Sequence, residues 1–309
     1  MKYYLAPMEG ISGHVFRNAL KHIEGCGADK YYMPFISPRP GIGMREKERF
    51  DMLPENNEGM ILVPQILTND AEAFIMLGRM IREEFGWEEI NLNAGCPSGT
   101  VTGRGRGAGM LKDTDALEAF LDRIFEADDL NISVKTRIGI EDPSEFEKIM
   151  KLYEKYPIYE LTVHPRTLKE QYRPGVHMEA FELAAESKLP LVYNGDIFTA
   201  EDNDRLTAAY GERLSGVMAG RGIIADPALF RKLKGGNGLA YEEFMALHDE
   251  IFSGYEKEFD GDMPLLFHMK ELWSYWGKNF TDEKGLKAIR KTKNKNDYRR
   301  TVKERSFIQ

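Results

Sequence analysis

Seven short stretches of this 309-residue chain place chemically capable side chains where apolar runs end. NLNAGCPSGTVTGRGRGAGML, residues 91–111, brings Asn93 and Cys96 to the start of a glycine-rich loop. SVKTRIG carries Lys135 and Arg137, TVHPRT carries His164 and Arg166, YNGDI carries Asn194, Gly195 and Asp196, and AGRG carries Gly220 and Arg221. Ala6, Pro7 and Met8 in LAPM and Gln65 in VPQIL complete the set. A cysteine on type alone is a packing residue, so its neighbours decide. Glycines beside Arg221 let a backbone approach an anion closely, and Arg221 adds charge-assisted donors, which is phosphate chemistry. Lys135 and His164 favour an anionic ring, such as a reduced flavin with negative charge near N1 and O2. The competing reading of Lys135 is a salt bridge to a neighbouring acid. Asp196 repels phosphate, and either binds a ligand hydroxyl or orders its loop. No His, Cys or carboxylate spacing matches a metal site.

These residues converge only if the runs before them are neighbouring strands. Strands are predicted at 3–7, 30–35, 62–66, 89–93, 132–136, 159–164, 189–194 and 216–219, with helical stretches between them. Eight such strands predict an α/β chain folded as a (β/α)8 TIM barrel, whose chemistry gathers at the carboxyl ends of the strands. The runner-up is an open doubly wound sheet. Asp142-Pro143-Ser144-Glu145 reads as a helix start and Thr199 with Asp202 as a capping box. After the loop 234–238 the pattern becomes wholly helical, at 241–258, 264–279, 282–293 and 295–305. Domain boundaries follow: a barrel over 1–236 and a small all-helical domain over 237–309. The aromatic stripe of LLFHMKELWSYWGKNF reads as core, and Cys26 as a packing residue.

The whole chain carries a net charge of −8, but unevenly. Residues 284–309 hold ten Lys or Arg against Asp297 and Glu304, a net of +8, which leaves −16 on the remainder. That segment is either a solvated tail or a polyanion-binding surface. No apolar run approaches the roughly 18 residues of a membrane span, and two cysteines form no disulfide framework. A cytoplasmic monomer is expected, with no membrane and no metal.

Taken together and in order, APMEGISGHVFR, VPQIL, NLNAGCPSGTVTGRGRGAGML, SVKTRIG, LTVHPRTLKEQYRPG, YNGDI and VMAGRG resemble the tRNA-dihydrouridine synthase family over about residues 3 to 230. The resemblance implies an FMN enzyme that uses NADPH to reduce the uracil C5=C6 bond of particular uridines in tRNA. It implies that Ala6, Pro7, Met8, Gln65, Lys135, His164, Asn194, Gly195, Asp196, Gly220 and Arg221 line FMN. Asn93, Arg137, Arg166 and Tyr172 would address the uracil. Cys96 would give a proton to C5 after hydride from flavin N5 reaches C6, which needs a thiol rather than a thiolate. A stacked uracil must be extruded to reach such a pocket, and the basic tail would hold the RNA backbone. The run 99–109 would close over the inserted nucleotide, with Arg104 and Arg106 near phosphates.

Three rivals make different demands. A flavin dehydrogenase of free pyrimidines, resembling dihydroorotate dehydrogenases, needs no basic tail. A non-catalytic RNA-binding protein needs no Cys96. A flavin-free phosphate-binding isomerase or aldolase would use Lys135 as a Schiff-base lysine.

Overall fold

The computed structural model describes residues 1–173, 175–277 and 282–304. The end of the helix predicted over 264–279, and Arg305 of the basic tail, lie outside them. Among the described residues nine parallel strands are formed: β1 (Lys2–Leu5), β2 (Lys30–Tyr32), β3 (Leu62–Val63), β4 (Gln65–Ile66), β5 (Glu89–Ala94), β6 (Asn131–Arg137), β7 (Leu161–His164), β8 (Leu191–Tyr193) and β9 (Leu214–Ala219). Their order, β3-β2-β1-β9-β8-β7-β6-β5-β4, is that of a barrel. β3 and β4 are the two halves of the one strand expected at 62–66, split where Pro64 has no N–H to give the ladder. One half pairs with β2 and the other with β5. The Pro64 carbonyl still accepts the Asn91 N–H at 2.9 Å, so the broken strand closes the circuit. All six residues of β5 are buried, as expected where a parallel strand is covered on both faces.

The amino ends of the strands hold a buried polar plug. Lys30 Nζ lies 2.7 Å from Glu89 and 2.9 Å from Glu160. The hydroxyls of Tyr4 and Tyr32 donate to Glu160 at 3.0 Å and to Glu89 at 3.1 Å. A buried carboxylate persists only with such partners, and this set seals the end of the barrel opposite the reactive side chains.

The capping box at Thr199 and Asp202 is formed. The start at Asp142 is displaced: the helix begins at Glu145, whose carboxylate accepts the N–H groups of Ile140, Glu141 and Asp142. Cys26 is fully buried and its thiol is pushed up to about 11 by that burial.

The barrel is followed by a small C-terminal helical region, with helices Tyr241–Glu258, Asp262–Trp276, Glu283–Lys291 and Lys295–Lys303. Its aromatic stripe is core. Tyr298 accepts from Trp273 Nε1 at 2.7 Å, and its hydroxyl is hydrogen-bonded to His248 Nε2 at 2.8 Å. The first of these helices lies against His14–His22 of the barrel so closely that a β-carbon on Gly254 would meet Val15 at 2.5 Å. His14 reaches Asp51 at 3.1 Å and Glu258 at 3.3 Å, and His268 Nδ1 donates to the Gly10 carbonyl at 3.0 Å. One hydrophobic core runs through both parts. Among the described residues no helix is long and apolar enough to cross a membrane, and no cluster of His, Cys, Asp or Glu is arranged to hold a metal.

Candidate active site

The carboxyl ends of the strands surround a cavity of about 270 Å³. Of the residues expected there, Ala6, Pro7, Met8, Gln65, Asn93, Cys96, Lys135, Arg137, His164, Tyr172, Asn194, Gly195, Gly220 and Arg221 line it. Glu9, Pro34, Phe35, Gly95 and Pro97 join them. Asp196 and Arg166 are not among the lining residues and stand behind the wall.

A row of amides crosses the mouth from β4 to β6. Gln65 Nε2 donates to Asn91 Oδ1 at 2.7 Å, and Asn91 Nδ2 donates to Ser133 Oγ at 2.9 Å. Asn93 Nδ2 donates to Gln65 Oε1 at 2.7 Å. This satisfied row fixes Asn93, whose Oδ1 accepts the N–H groups of Gly95 at 3.1 Å and Cys96 at 2.9 Å. Asn91 and Ser133 do not stand out in the sequence, although their period-2 spacing with Asn93 and Lys135 puts them on the same inward face.

The glycine-rich run after Cys96 is a folded segment rather than a bare loop. It forms a short helix at Gly99–Thr102 and a 3₁₀ turn at Gly107–Lys112. The Ala108 N–H returns to the Cys96 carbonyl at 3.1 Å, and Asn69 Nδ2 donates to the Arg104 carbonyl at 3.1 Å. These bonds hold Cys96 at the cavity edge. Burial pushes its thiol up, against smaller opposing effects of the Ser98 N–H, Lys135 and Arg137. At neutral pH it is a thiol, not a nucleophilic thiolate.

Lys135 has no carboxylate partner among the described residues. Burial first, and then the Arg137 guanidinium, push its ammonium down to about 7, so the salt-bridge reading of this lysine does not hold. Arg137 is 1% exposed, and its Nε donates to the Gly95 carbonyl at 3.0 Å and its NH1 to the Thr167 carbonyl at 2.8 Å. Desolvation pushes it down to about 10. His164 is held well below the usual imidazole value by burial and by Arg137, Lys135, Arg166 and Arg221. The cavity thus gathers more cations and donors than acids, which is an anion-seeking arrangement.

Tyr172 stands over the opening and is 45% exposed. Arg221 lies 4.7 Å and Arg137 5.6 Å from its ring centroid, so the aromatic face is braced by two guanidinium groups. At the far wall Asn194 Nδ2 donates to the Met218 carbonyl at 2.9 Å. A β-carbon on Gly195 would collide with the Tyr193 hydroxyl at 2.0 Å, so any side chain there would require Tyr193 to move. Arg221 begins the short helix Arg221–Ala225, and its NH2 donates to Asp196 at 2.6 Å. That bond ties Asp196 to Arg221, the contact that the loop-ordering role requires.

A family model described as dihydrouridine synthase (Dus) matches residues 4–305. A probable tRNA-dihydrouridine synthase of Staphylococcus aureus (strain COL) is 29% identical over 273 residues, covering 83% of this chain and 79% of that protein. The tRNA-dihydrouridine synthase B of Pasteurella multocida is 26% identical over 292 residues, covering 94% and 82%. The tRNA-dihydrouridine(16) synthase of Cupriavidus necator is 29% identical over 240 residues, covering 76% and 74%. Among solved structures the fold is similar to that of morphinone reductase, with a TM-score of 0.53 at 13% identity over 79% of this chain and 88% of the other. Old Yellow Enzyme from Pichia sp. AKU4542 gives 0.51 at 9% identity, over 79% and 86%. With the family match spanning nearly the whole chain and the strand-end residues gathered at one barrel mouth, the chain belongs to the dihydrouridine synthase family of flavin-dependent oxidoreductases.

Proposed function

We propose that this protein reduces the C5=C6 bond of specific uridines in tRNA to 5,6-dihydrouridine, with FMN bound in the 270 Å³ cavity and NADPH as the reductant. The observation that carries the reading is the pairing in one cavity of a thiol held protonated with a buried lysine, Lys135, that no acid among the described residues pairs with. The residues present fit FMN. Arg221, with the close-packed backbone at Gly195 and Gly220, suits the phosphate. Lys135 and His164 suit the pyrimidine edge of the ring, and Met8, Ala6 and Pro7 supply its apolar wall. When bound, FMN supplies the hydride that C6 of the uracil takes up.

The chain's own residues then act on the uracil. Asn93 has one amide hydrogen committed to Gln65 and a second to offer to a uracil carbonyl, and Arg137 offers guanidinium donors beside it. Charge that grows on the C4 oxygen is stabilised there. Cys96 protonates C5, and its raised pKa keeps that proton available at neutral pH. Tyr172 supplies a face for stacking the extruded base.

In this reading residues 1–236 form the catalytic barrel, and residues 237–309 carry the surface that holds tRNA. Lys284, Lys287, Arg290, Lys291 and Lys293 are exposed on or after the helix Glu283–Lys291. Lys295 and Arg299 instead pair with Glu256, both at 2.9 Å, which reduces their share in binding a phosphate backbone.

The test is the visible spectrum of the purified protein, with the released cofactor identified by chromatography, followed by an assay of tRNA for dihydrouridine. Bound or readily taken up FMN and NADPH-dependent product are expected. A colourless protein that does not take up FMN overturns the reading.

A further inference from the structure

Behind the cavity wall, Asp196 lies between two arginines. Its Oδ1 accepts from Arg221 NH2 at 2.6 Å and from Arg166 NH1 at 3.2 Å, and its Oδ2 accepts from Arg166 NH2. Arg166 is 1% exposed, so this carboxylate is a partner for a charge that water does not reach. The same Arg166 NH1 sits 3.1 Å from His164 Nε2. A guanidinium nitrogen only donates, and a ring nitrogen facing it must therefore accept. The proton of His164 then belongs on Nδ1, and an imidazolium, with both nitrogens donating, would set N–H against N–H. His164 itself lines the cavity. One carboxylate thus governs two cavity residues: Arg221 directly, and His164 through Arg166.

We propose that Asp196 and Arg166 are positioning residues rather than ligand contacts: Asp196 fixes Arg221 and Arg166, and Arg166 holds His164 as the neutral Nδ1–H tautomer. The ring is thereby offered to the cavity in a single protonation state, as a neutral donor among fixed cations. The consequence for FMN rests on the flavin reading above, whereas the tautomer does not.

The two halves are measured separately. Flavin-free protein carrying isotope-labelled histidine is examined by long-range proton–nitrogen correlation at neutral pH, with the His164 signals identified by their loss in His164→Asn. The expected pattern is a protonated Nδ1 and a bare Nε2. It should give way to mixed tautomers in Arg166→Met and be restored in part by Arg166→Lys. A proton on Nε2 in the unaltered protein, or a pattern that Arg166→Met does not change, overturns the proposal. If Arg166→Met fails to fold, the unaltered protein alone decides.

FMN titration by fluorescence quenching then compares Asp196→Ala, Arg221→Ala and the double variant. Each single change is expected to weaken binding by about tenfold or more, and the double variant by clearly less than the product of the two, because the losses share one route. Losses that multiply in full mean that Asp196 touches the ligand on its own account, and overturn the positioning role. Failure of the unaltered protein to take up FMN overturns the flavin reading, and the tautomer spectrum then decides the proposal by itself.

Discussion

Asn93 Oδ1 accepts the backbone N–H of Cys96 at 2.9 Å, so the amide at the end of β5 is the fixture on which the thiol-bearing turn hangs. Asn93→Ala removes that fixture and the partner of Gln65 together. Loss of such buried hydrogen bonds costs about 1–3 kcal/mol, or roughly ten- to hundredfold if expressed in the rate. Dihydrouridine formation should fall by that amount while flavin content, read from the visible spectrum, is largely kept.

Cys96→Ala should lower turnover by roughly 10² to 10⁴, the usual worth of a positioned proton donor, with FMN affinity unchanged. Because the acid form does the work, the rate should fall as pH rises through the thiol's pKa. Burial places that limb above the ordinary thiol value of about 8.5. A pH–rate profile checks both the position and the sign, and a limb below neutrality would contradict the assignment.

Lys135 titrates near 7 in the folded, ligand-free protein and near 10.4 unfolded. The unfolded state therefore binds the extra proton between these values. Stability should rise with pH across that window, and the full cost of burying the charge is present below about 7. Lys135→Met should stabilise the flavin-free protein by about 2–4 kcal/mol near pH 6, and by progressively less toward pH 10. In the same variant FMN affinity should fall. Denaturant titrations at the two pH values and a flavin titration test the pair.

Lys30→Met removes the cation from the plug at the closed end of the barrel and leaves Glu89 and Glu160 as two buried carboxylates with no cation between them. Removing one partner of a buried ion pair costs about 3–5 kcal/mol, so the denaturation midpoint should drop sharply. The plug lies at the end of the barrel opposite the cavity, so kcat at temperatures where the protein is folded should be unaltered.

Combined Lys291→Ala and Lys293→Ala should weaken tRNA binding without changing flavin content. The slope of log affinity against log salt should shrink by about 0.9 for each phosphate that the protein no longer neutralises. Equal affinity at low salt would place the RNA elsewhere.

Much of this site is legible in the sequence because a parallel barrel puts successive strand ends at one rim. Recognising eight strands therefore gathers Gln65, Asn93, Lys135, His164 and Asn194 without further information. What stays hidden is pairing across the rim. Asp196 and Arg166 are separated by 30 residues, and nothing local says that each is the other's partner. The plug is hidden likewise, since Lys30, Glu89 and Glu160 look like isolated charges at or next to strand starts. That shared position is the available signal. Pro64 is visible within an apolar run, but its effect depends on two different neighbours that only the closed sheet supplies.

The contact between Gly254 and Val15 bears on how a substrate would be chosen. With no room for even a methyl group at that seam, and one core continuous through both parts, the helical region is seated on the barrel like a fixed jaw. A clamp that does not swing measures its load instead of adapting to it. Under the proposed function, the offset between the basic helix and Cys96 is then set once, at folding, and would work as a ruler: the uridine reaching the thiol would be the one lying the right span from where the RNA backbone is gripped.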